Sequence, residues 1–419
     1  MFDMGYTVLQ LGYGMQGEAV LADLLKNTSV SKVIVMDARD EIADLPKKIG
    51  DPRIEAVKAD ISDLKTVKKT MEKSDVVIEL MPGTFALTLA KASVEVGVSH
   101  VSTMYLQNPG ETDKVKKQKE QDDLYLLDQD AKAKKITVLP EMGMDPGMDL
   151  ILGKRAVEEL DEVKVFHSYG AGFPELSAAN NPIRYKFTWS IEGVIRSYLR
   201  PARVLKEGVA CDIEADEMFA PENMHLLQVP DFSEPLECFA NGDSISYASF
   251  FGIENSVSSM GRYICRWPGH ASFWHRMAKC GFLSDKPIGS LGGVRPAAFC
   301  AALLGEQEQF RYGHDERDLA IIRSDVRGFK DGKTVRVVYE IIDRRDTESG
   351  LTAMQRTVGF SASIAAGMIL DRSFAVSGLV NPTSIPFDVY TEELAKRNIR
   401  FRREAGAWNG DEKPDLMSD

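Results

Sequence analysis

The 419-residue chain is poor in cysteine: Cys211, Cys238, Cys265, Cys280 and Cys300 are scattered through its second half, with no C-x-x-C pair among them. An odd, unclustered set supports neither a disulfide framework nor a zinc knuckle, and it suits a reducing compartment. Only six histidines occur, with no H-E-x-x-H. The nearest useful pair, His270 and His275, misses the i,i+4 spacing that stacks two ligands on one helix face, so no metal is expected. Basic charge is in deficit. Against 63 Asp and Glu stand 51 Lys and Arg, a net charge of -12, and such a surface repels phosphate backbones and anionic headgroups. Neither nucleic acid nor a membrane is an expected partner. No apolar run nears the ~20 residues of a bilayer span, and the opening MFDMGYTVLQLGYG lacks the basic stretch of a signal peptide, which reads as a cytoplasmic protein. Low-complexity tracts, flexible linkers and internal repeats are absent too. The length allows two well-buried domains.

What is present starts at once. Thr7 to Leu11 is a short apolar run, Gly12-Tyr-Gly14-Met-Gln-Gly17 follows, and EAVLADLLKNTSV carries a helical pattern. In that order G-x-G-x-x-G is a dinucleotide fingerprint. Gly12 makes the tight turn, Gly14 lets backbone N–H groups approach a pyrophosphate, and Gly17 brings helix and strand together. The helix N-terminus, with Met15 and Gln16, supplies partial positive charge. A second apolar run, Lys32 to Met36, ends in Asp37, about 20 residues past the third glycine, where an acid accepts bonds from ribose hydroxyls. Asp37 repels a 2′-phosphate, whereas Arg39 can swing over one. The expected cofactor is therefore NAD(P), with NAD favoured. Further strands are expected at Ile54 to Val57, Asp75 to Leu80, His100 to Thr103 and Ile136 to Leu139, with helices such as Phe85 to Val96 between them. This is α/β alternation: an N-terminal Rossmann domain with a doubly wound parallel sheet. Ligands in such sheets sit beyond the carboxyl ends of the strands, which singles out Asp60, Met81, Pro82, Thr103 to Tyr105 and Glu141 to Asp145.

Several later stretches resemble one family. Glu141-Met-Gly-Met-Asp145-Pro-Gly-Met-Asp149 is similar to the G-x-D-P-G-x-D segment of saccharopine reductases, in the saccharopine dehydrogenase family. Ser168 to Pro174 resembles that family's SYCGGLP, and Asn181-Pro-Ile-Arg-Tyr185-Lys-Phe-Thr-Trp189-Ser190 its NPxxYKFSWS. Arg266-Trp-Pro-Gly-His270 and Cys280 to Asp285 are similar to its R-Y-x-G and G-x-L-S-D. Leu351 to Thr357 and Asp388 to Arg397 resemble segments shared with lysine 6-dehydrogenases, and the likeness runs over about residues 5 to 402.

The resemblance implies an oxidoreductase acting on a CH–NH bond, with hydride passing between NAD(P) and an amino acid or its imine adduct. It puts Asp145 and Tyr105 near the reacting centre, Asp145 to orient the substrate amine and Tyr105 to assist proton transfer. Asp-Pro-Gly before a helical run from Met148 also suits helix initiation, and Tyr105 also suits a core ring. Trp189, Ser190, Glu192 and His270 are candidates for substrate contact. Against that, Tyr185 and Trp189 alternate on an expected strand from Arg184 to Ser190, with Lys186 and Ser190 on its opposite face, and His270 suits a hydrogen-bonded structural role. Two departures bear on the substrate. Gly170 stands where reductases carry cysteine, and Glu192 stands where many carry arginine, a change that suits a cationic amine better than a dicarboxylate. Lysine 6-dehydrogenase-like amine oxidation and a non-catalytic NAD(P)-binding redox sensor are the alternatives.

Beyond Asp145, Asp161 to Tyr169, Ile183 to Trp189 and Val335 to Ile342 read as strands of an α+β domain with a mixed sheet. Asp331-Gly332 reads as a two-residue hairpin turn. The expected division is residues 1–145 for the cofactor, 146–370 for substrate binding and dimerisation, and 371–419 packing back on the Rossmann domain. The resemblance implies a homodimer formed through the second sheet.

Overall fold

Val33-Ile-Val-Met36, Val76-Val-Ile78 and Thr137-Val-Leu139 are β-branched and apolar runs too short for helices. In the computed structural model, which describes residues 5–108, 113–409, 415 and 416, each lies in a strand and is buried on both faces. The chain divides into two compact units, Met1–Ile151 with Gln355–Arg400, and Leu152–Met354 with Phe401–Asp419.

The first unit holds a seven-stranded parallel sheet. Its strands are β1 (Tyr6–Leu11), β2 (Val30–Asp37), β3 (Ile54–Lys58), β4 (Val76–Glu79), β5 (Ser99–Ser102) and β6 (Thr137–Leu139), with Gly378–Leu379 added at the edge. The spatial order runs from Gly378–Leu379 through β6, β5, β4, β1 and β2 to β3. Strand order reverses between β1 and β4, the switch point at which doubly wound sheets bind ligands. Helix α1 (Met15–Leu24) follows β1 directly. It is covered by the small-residue helix Ala353–Leu370: a Cβ on Gly359 would lie 2.8 Å from that of Ala19. Arg397 fixes the same corner, donating to the two oxygens of buried Asp23 at 2.7 and 2.9 Å.

The second unit is built on a ten-stranded sheet whose central neighbours, Glu162–Pro174 and Ser259–Arg266, run parallel while its other pairings are antiparallel. The sheet is therefore mixed, as expected. The long hairpin Asp318–Lys330 to Lys333–Arg344 turns at Asp331 (φ 49°) and Gly332 (φ 72°), the double left-handed geometry of a tight hairpin. One expected strand is absent. Residues 184–190 form no strand, and the segment is irregular with Tyr185, Lys186 and Thr188 all buried. The cause is Asn181. Its Oδ1 accepts from the N–H of Ile183 and Tyr185, and its Nδ2 donates to the carbonyls of Tyr185 and Gln309. A side chain has taken the bonds a strand neighbour would make, and Arg184 turns left-handed (φ 48°).

Candidate active site

The carboxyl edge of the first unit's sheet collects most of the residues singled out above. Each glycine of the turn has its own reason. Gly12 takes φ +97°, and a Cβ there would sit 3.0 Å from Met81 Sδ. A Cβ on Gly17 would meet the Gly12 carbonyl at 2.5 Å and Gln10 Nε2 at 2.8 Å, so only glycine lets α1 lie this close to β1. Around Gly14 nothing stands within 4 Å of a Cβ position. Gly14 is also the N-cap of α1 and gives no side-chain cap, so the first N–H groups of the helix face an open cradle. Gln16 adds a buried Oε1 without a partner among the described residues. An uncapped helix end, an open cradle and an orphaned polar atom fit the diphosphate of a dinucleotide. Sequence reading missed Gln10, whose Nε2 donates to the carbonyls of Gly12 and Gly17 at 2.9 Å and braces the turn.

At the end of β2, Asp37 accepts from Tyr13 N at 2.8 Å and from Arg39 Nε at 2.8 Å. Burial works against the charge, but the bonds from Arg39 and Tyr13 prevail and hold the carboxyl down at about 2. Arg39 itself stays exposed. Asp60, beyond β3, is exposed and accepts from Ser62 N and Oγ at 2.8 and 2.7 Å, bonds within its own loop. Met81 packs beside Gly12, whereas Pro82 is exposed.

Across the switch point, two loops come together. Glu141 N donates to Met104 O at 3.1 Å and Met142 N to Ser102 O at 2.8 Å, and Gly143 backs onto Thr103. Partly exposed Tyr105 and Asp145 thus belong to joined segments. The turn carrying Asp145 is tightly specified: Gly143 N bonds Pro146 O at 3.0 Å, and a Cβ on Gly147 would fall 2.2 Å from Gly143 O. The helix begins at Met148, three residues past Asp145, and buried Asp149 rather than Asp145 accepts from Gly147 N, at 2.9 Å. Also unassigned by sequence is Glu79, wholly buried at the end of β4, its carboxyl pushed up to about 7 by burial against bonds from Ser102 and Met81.

In the second unit the candidates separate. Ser190 caps the short helix Ile191–Ser197, accepting from Gly193 N at 3.2 Å, and Trp189 lies over that helix's first turn. Glu192 is exposed and paired with Arg196 at 2.7 Å. His270 is buried with both ring nitrogens engaged, Nε2 with Tyr198 OH at 2.8 Å and Nδ1 with Ile183 O at 3.0 Å. Burial, aided by the charge of Arg266, lowers its pKa to about 3, so the ring is neutral. The residue that stands out beside it is Arg266, buried, with its guanidinium 4.5 Å above the Tyr185 ring. It donates to Cys265 O at 2.8 Å, and its Nε and the Tyr185 hydroxyl lack partners. Among the described residues no carboxylate pairs with it. The R-x-x-G resemblance had placed Arg266 in a motif, but only the fold reveals a buried cation without a counter-ion. Neither unit, among its described residues, holds a cluster of three potential metal ligands, and no helix is long and apolar enough to cross a membrane.

The saccharopine dehydrogenase NADP binding domain matches residues 8–139, and the saccharopine dehydrogenase C-terminal domain residues 143–399. The expected preference for NAD has no support here, since the matched domain is NADP-binding; a nicotinamide dinucleotide of either form is what the match supports. Alpha-aminoadipic semialdehyde synthase of Arabidopsis thaliana is 25% identical over 447 residues, 89% of this chain but 40% of that one, so the chain spans less than half of that relative. Saccharopine dehydrogenase [NADP(+), L-glutamate-forming] of Saccharomyces cerevisiae is 23% identical over 91% of this chain and 94% of its own length. The solved structure of that yeast enzyme without ligands shares the fold, with a TM-score of 0.79, covering 96% of this chain and 100% of the other. Carrying both domains in order, the chain belongs to the saccharopine dehydrogenase family.

Proposed function

We propose that this chain passes hydride between a nicotinamide dinucleotide and the carbon of a carbon–nitrogen bond, as a saccharopine reductase does, with an amino acid or its imine adduct as substrate. The observation that carries this reading lies in the first unit, where the open cradle at Gly14 and the joined loops of Tyr105 and Asp145 border the carboxyl edge of one sheet; Arg266 is a separate observation within the second unit. A buried guanidinium without a counter-ion is costly until a ligand supplies one, and its planar fork suits a carboxylate held by two bonds. The dinucleotide, when bound, supplies or accepts the hydride at the nicotinamide ring. Asp145 orients the substrate amine, and Tyr105 gives or takes the proton at nitrogen, from loops joined through Met104 and Glu141. Glu192, exposed and paired with Arg196, is a weak candidate for gripping a cationic amine, which disfavours the lysine-type alternative. Arg39 can turn from Asp37 onto a 2′-phosphate, and with the NADP-binding match this favours NADP(H). A cytoplasmic homodimer belongs to the same reading, supported by five free cysteines and by the family resemblance.

The test is consumption of NADPH or NADH by the purified chain with a panel of aldehydes and amino acids, glutamate with an amino-acid semialdehyde among them. Turnover that requires glutamate is expected. Arg266→Met should raise the KM for the dicarboxylate partner by about 10²-fold while dinucleotide affinity is kept. Activity confined to hydroxy acids refutes the carbon–nitrogen assignment, and ammonia release from an amine without glutamate supports the lysine-type alternative. Dinucleotide binding without any turnover supports the sensor.

A further inference from the structure

Glu79 is the one acid in the run Val76-Val-Ile-Glu79, and it has no exposed surface. It pairs with Leu11 of β1 on one side and Ser102 of β5 on the other, at the switch point of the sheet. Oε1 accepts from Met81 N at 2.6 Å, Oε2 accepts from the Ser102 hydroxyl, and Ser102 Oγ accepts from Met104 N at 3.0 Å. Each bond leads to a functional segment. Leu80 and Met81 border Gly12, so the first bond reaches the turn that faces the diphosphate. Met104 precedes Tyr105 and bonds Glu141, so the other two reach the loops of Tyr105 and Asp145. The titratable groups of the surrounding elements are His100 on β5, kept neutral by burial and bonded to Ser93, and Tyr105, Glu141 and Asp145 beyond the strand ends. What shifts the Glu79 carboxyl is burial, which raises it to about 7, opposed by Ser102 and Met81.

We propose that Glu79 is a positioning residue that couples proton uptake to dinucleotide binding by bracing loops 80–83 and 103–105. In the neutral form its O–H donates to Ser102 Oγ, which still accepts from Met104 N, and both loops stay tied without added charge. In the ionised form a negative charge stands one residue from the loop that borders the dinucleotide turn and opposes the anionic ligand. The proton comes from solvent, and no bond between heavy atoms changes. The inference rests on the dinucleotide reading above.

The experiment measures the Kd of NADPH and of NADH by fluorescence for the full chain and its Glu79→Gln variant between pH 5.5 and 8.5. The wild-type Kd should rise as pH passes about 7, by up to about tenfold per pH unit, the limit for uptake of one proton. The variant should bind at pH 8 as tightly as the wild type at pH 6. The ratio of wild type to variant cancels ionisation of the ligand itself. Identical pH courses in both proteins overturn the proposal. Ser102→Ala, which removes a bond that favours the charged form, should move the wild-type inflection upward, and an unmoved inflection also overturns it. Infrared difference spectra of the wild type at pH 7.5 need no variant. Adding nucleotide should raise a carboxylic-acid carbonyl band, and no gain overturns the coupling. Failure of the wild type to bind either nucleotide at any pH overturns the dinucleotide reading itself, whereas binding without an inflection overturns the coupling alone.

Discussion

Replacing Gly14 and Gly17 separately by alanine should split two roles that one motif runs together. At Gly17 the new Cβ would lie 2.5 Å from Gly12 O, against a comfortable contact of 3.4 Å, so α1 must retreat by about 0.9 Å. It has little room to do so, because its outer side meets the helix Ala353–Leu370 at Gly359. Overpacking of this kind costs about 1–3 kcal/mol, or about 2–10 °C in Tm for a unit of this size. At Gly14, with φ -76° and nothing within 4 Å, alanine costs the fold within about 0.5 kcal/mol. Its methyl group instead fills the cradle before the helix N-terminus and should weaken NADPH by about tenfold or more, about 1.4 kcal/mol. Thermal unfolding with and without nucleotide reads both effects. At a ligand concentration of about 100 times the wild-type Kd, the wild type gains about 2.7 kcal/mol, and a tenfold weaker variant only about 1.4 kcal/mol. A Gly14→Ala protein stabilised by NADPH as strongly as the wild type would refute the cradle. A Gly17→Ala protein as stable as the wild type would refute the close packing.

Two further outcomes follow from buried polar groups. Asn181→Ala removes both halves of the side-chain bridge that shapes residues 183–185, leaves buried backbone groups unpaired and should cost about 1–3 kcal/mol in urea denaturation, while Asn181→Asp, which sets a buried carboxylate oxygen against the carbonyls of Tyr185 and Gln309, should cost at least as much. Because the folded-state pKa of Glu79, about 7, lies above its unfolded value of 4.5, the native state binds the extra proton between those limits. Stability contributed by neutral Glu79 is therefore complete at low pH and lost as pH rises from about 4.5 to 7, by about 3 kcal/mol at most. Urea midpoints at pH 5 and pH 7.5 should show that slope in the wild type, and Glu79→Gln should flatten it.

The parts of the molecule legible in sequence are those where backbone geometry restricts residue type. Gly12 and Gly17 are read correctly from spacing because a left-handed turn and a close helix–strand contact each admit little else. Asp331-Gly332 is legible for the same reason. The alternation of Tyr185 and Trp189 misleads because it is the signal of a half-buried strand, and nothing local reveals that Asn181 will capture the backbone bonds. Glu79 is hidden because its burial is imposed by β1 and β5, far away in sequence. Arg266 is visible as a motif residue, yet the absence of a counter-ion among the described residues is a property of three-dimensional surroundings. The same holds for Glu192, whose partner Arg196 becomes evident only once a helix sets them one turn apart.

The first unit closes around chain made after the second unit's main stretch. Asp23 awaits Arg397, Met15 O awaits Gln355, and Ala19 awaits Gly359. During synthesis the glycine turn and most of the parallel sheet precede Leu152–Met354, and residues 355–400 follow only after the whole of that stretch. At about 5–20 residues per second, the outer side of α1 waits on the order of ten seconds or more for its cover. The nascent Rossmann unit therefore carries an unpaired carboxylate and an uncovered helix face throughout the synthesis of Leu152–Met354, and its final assembly is a long-range event.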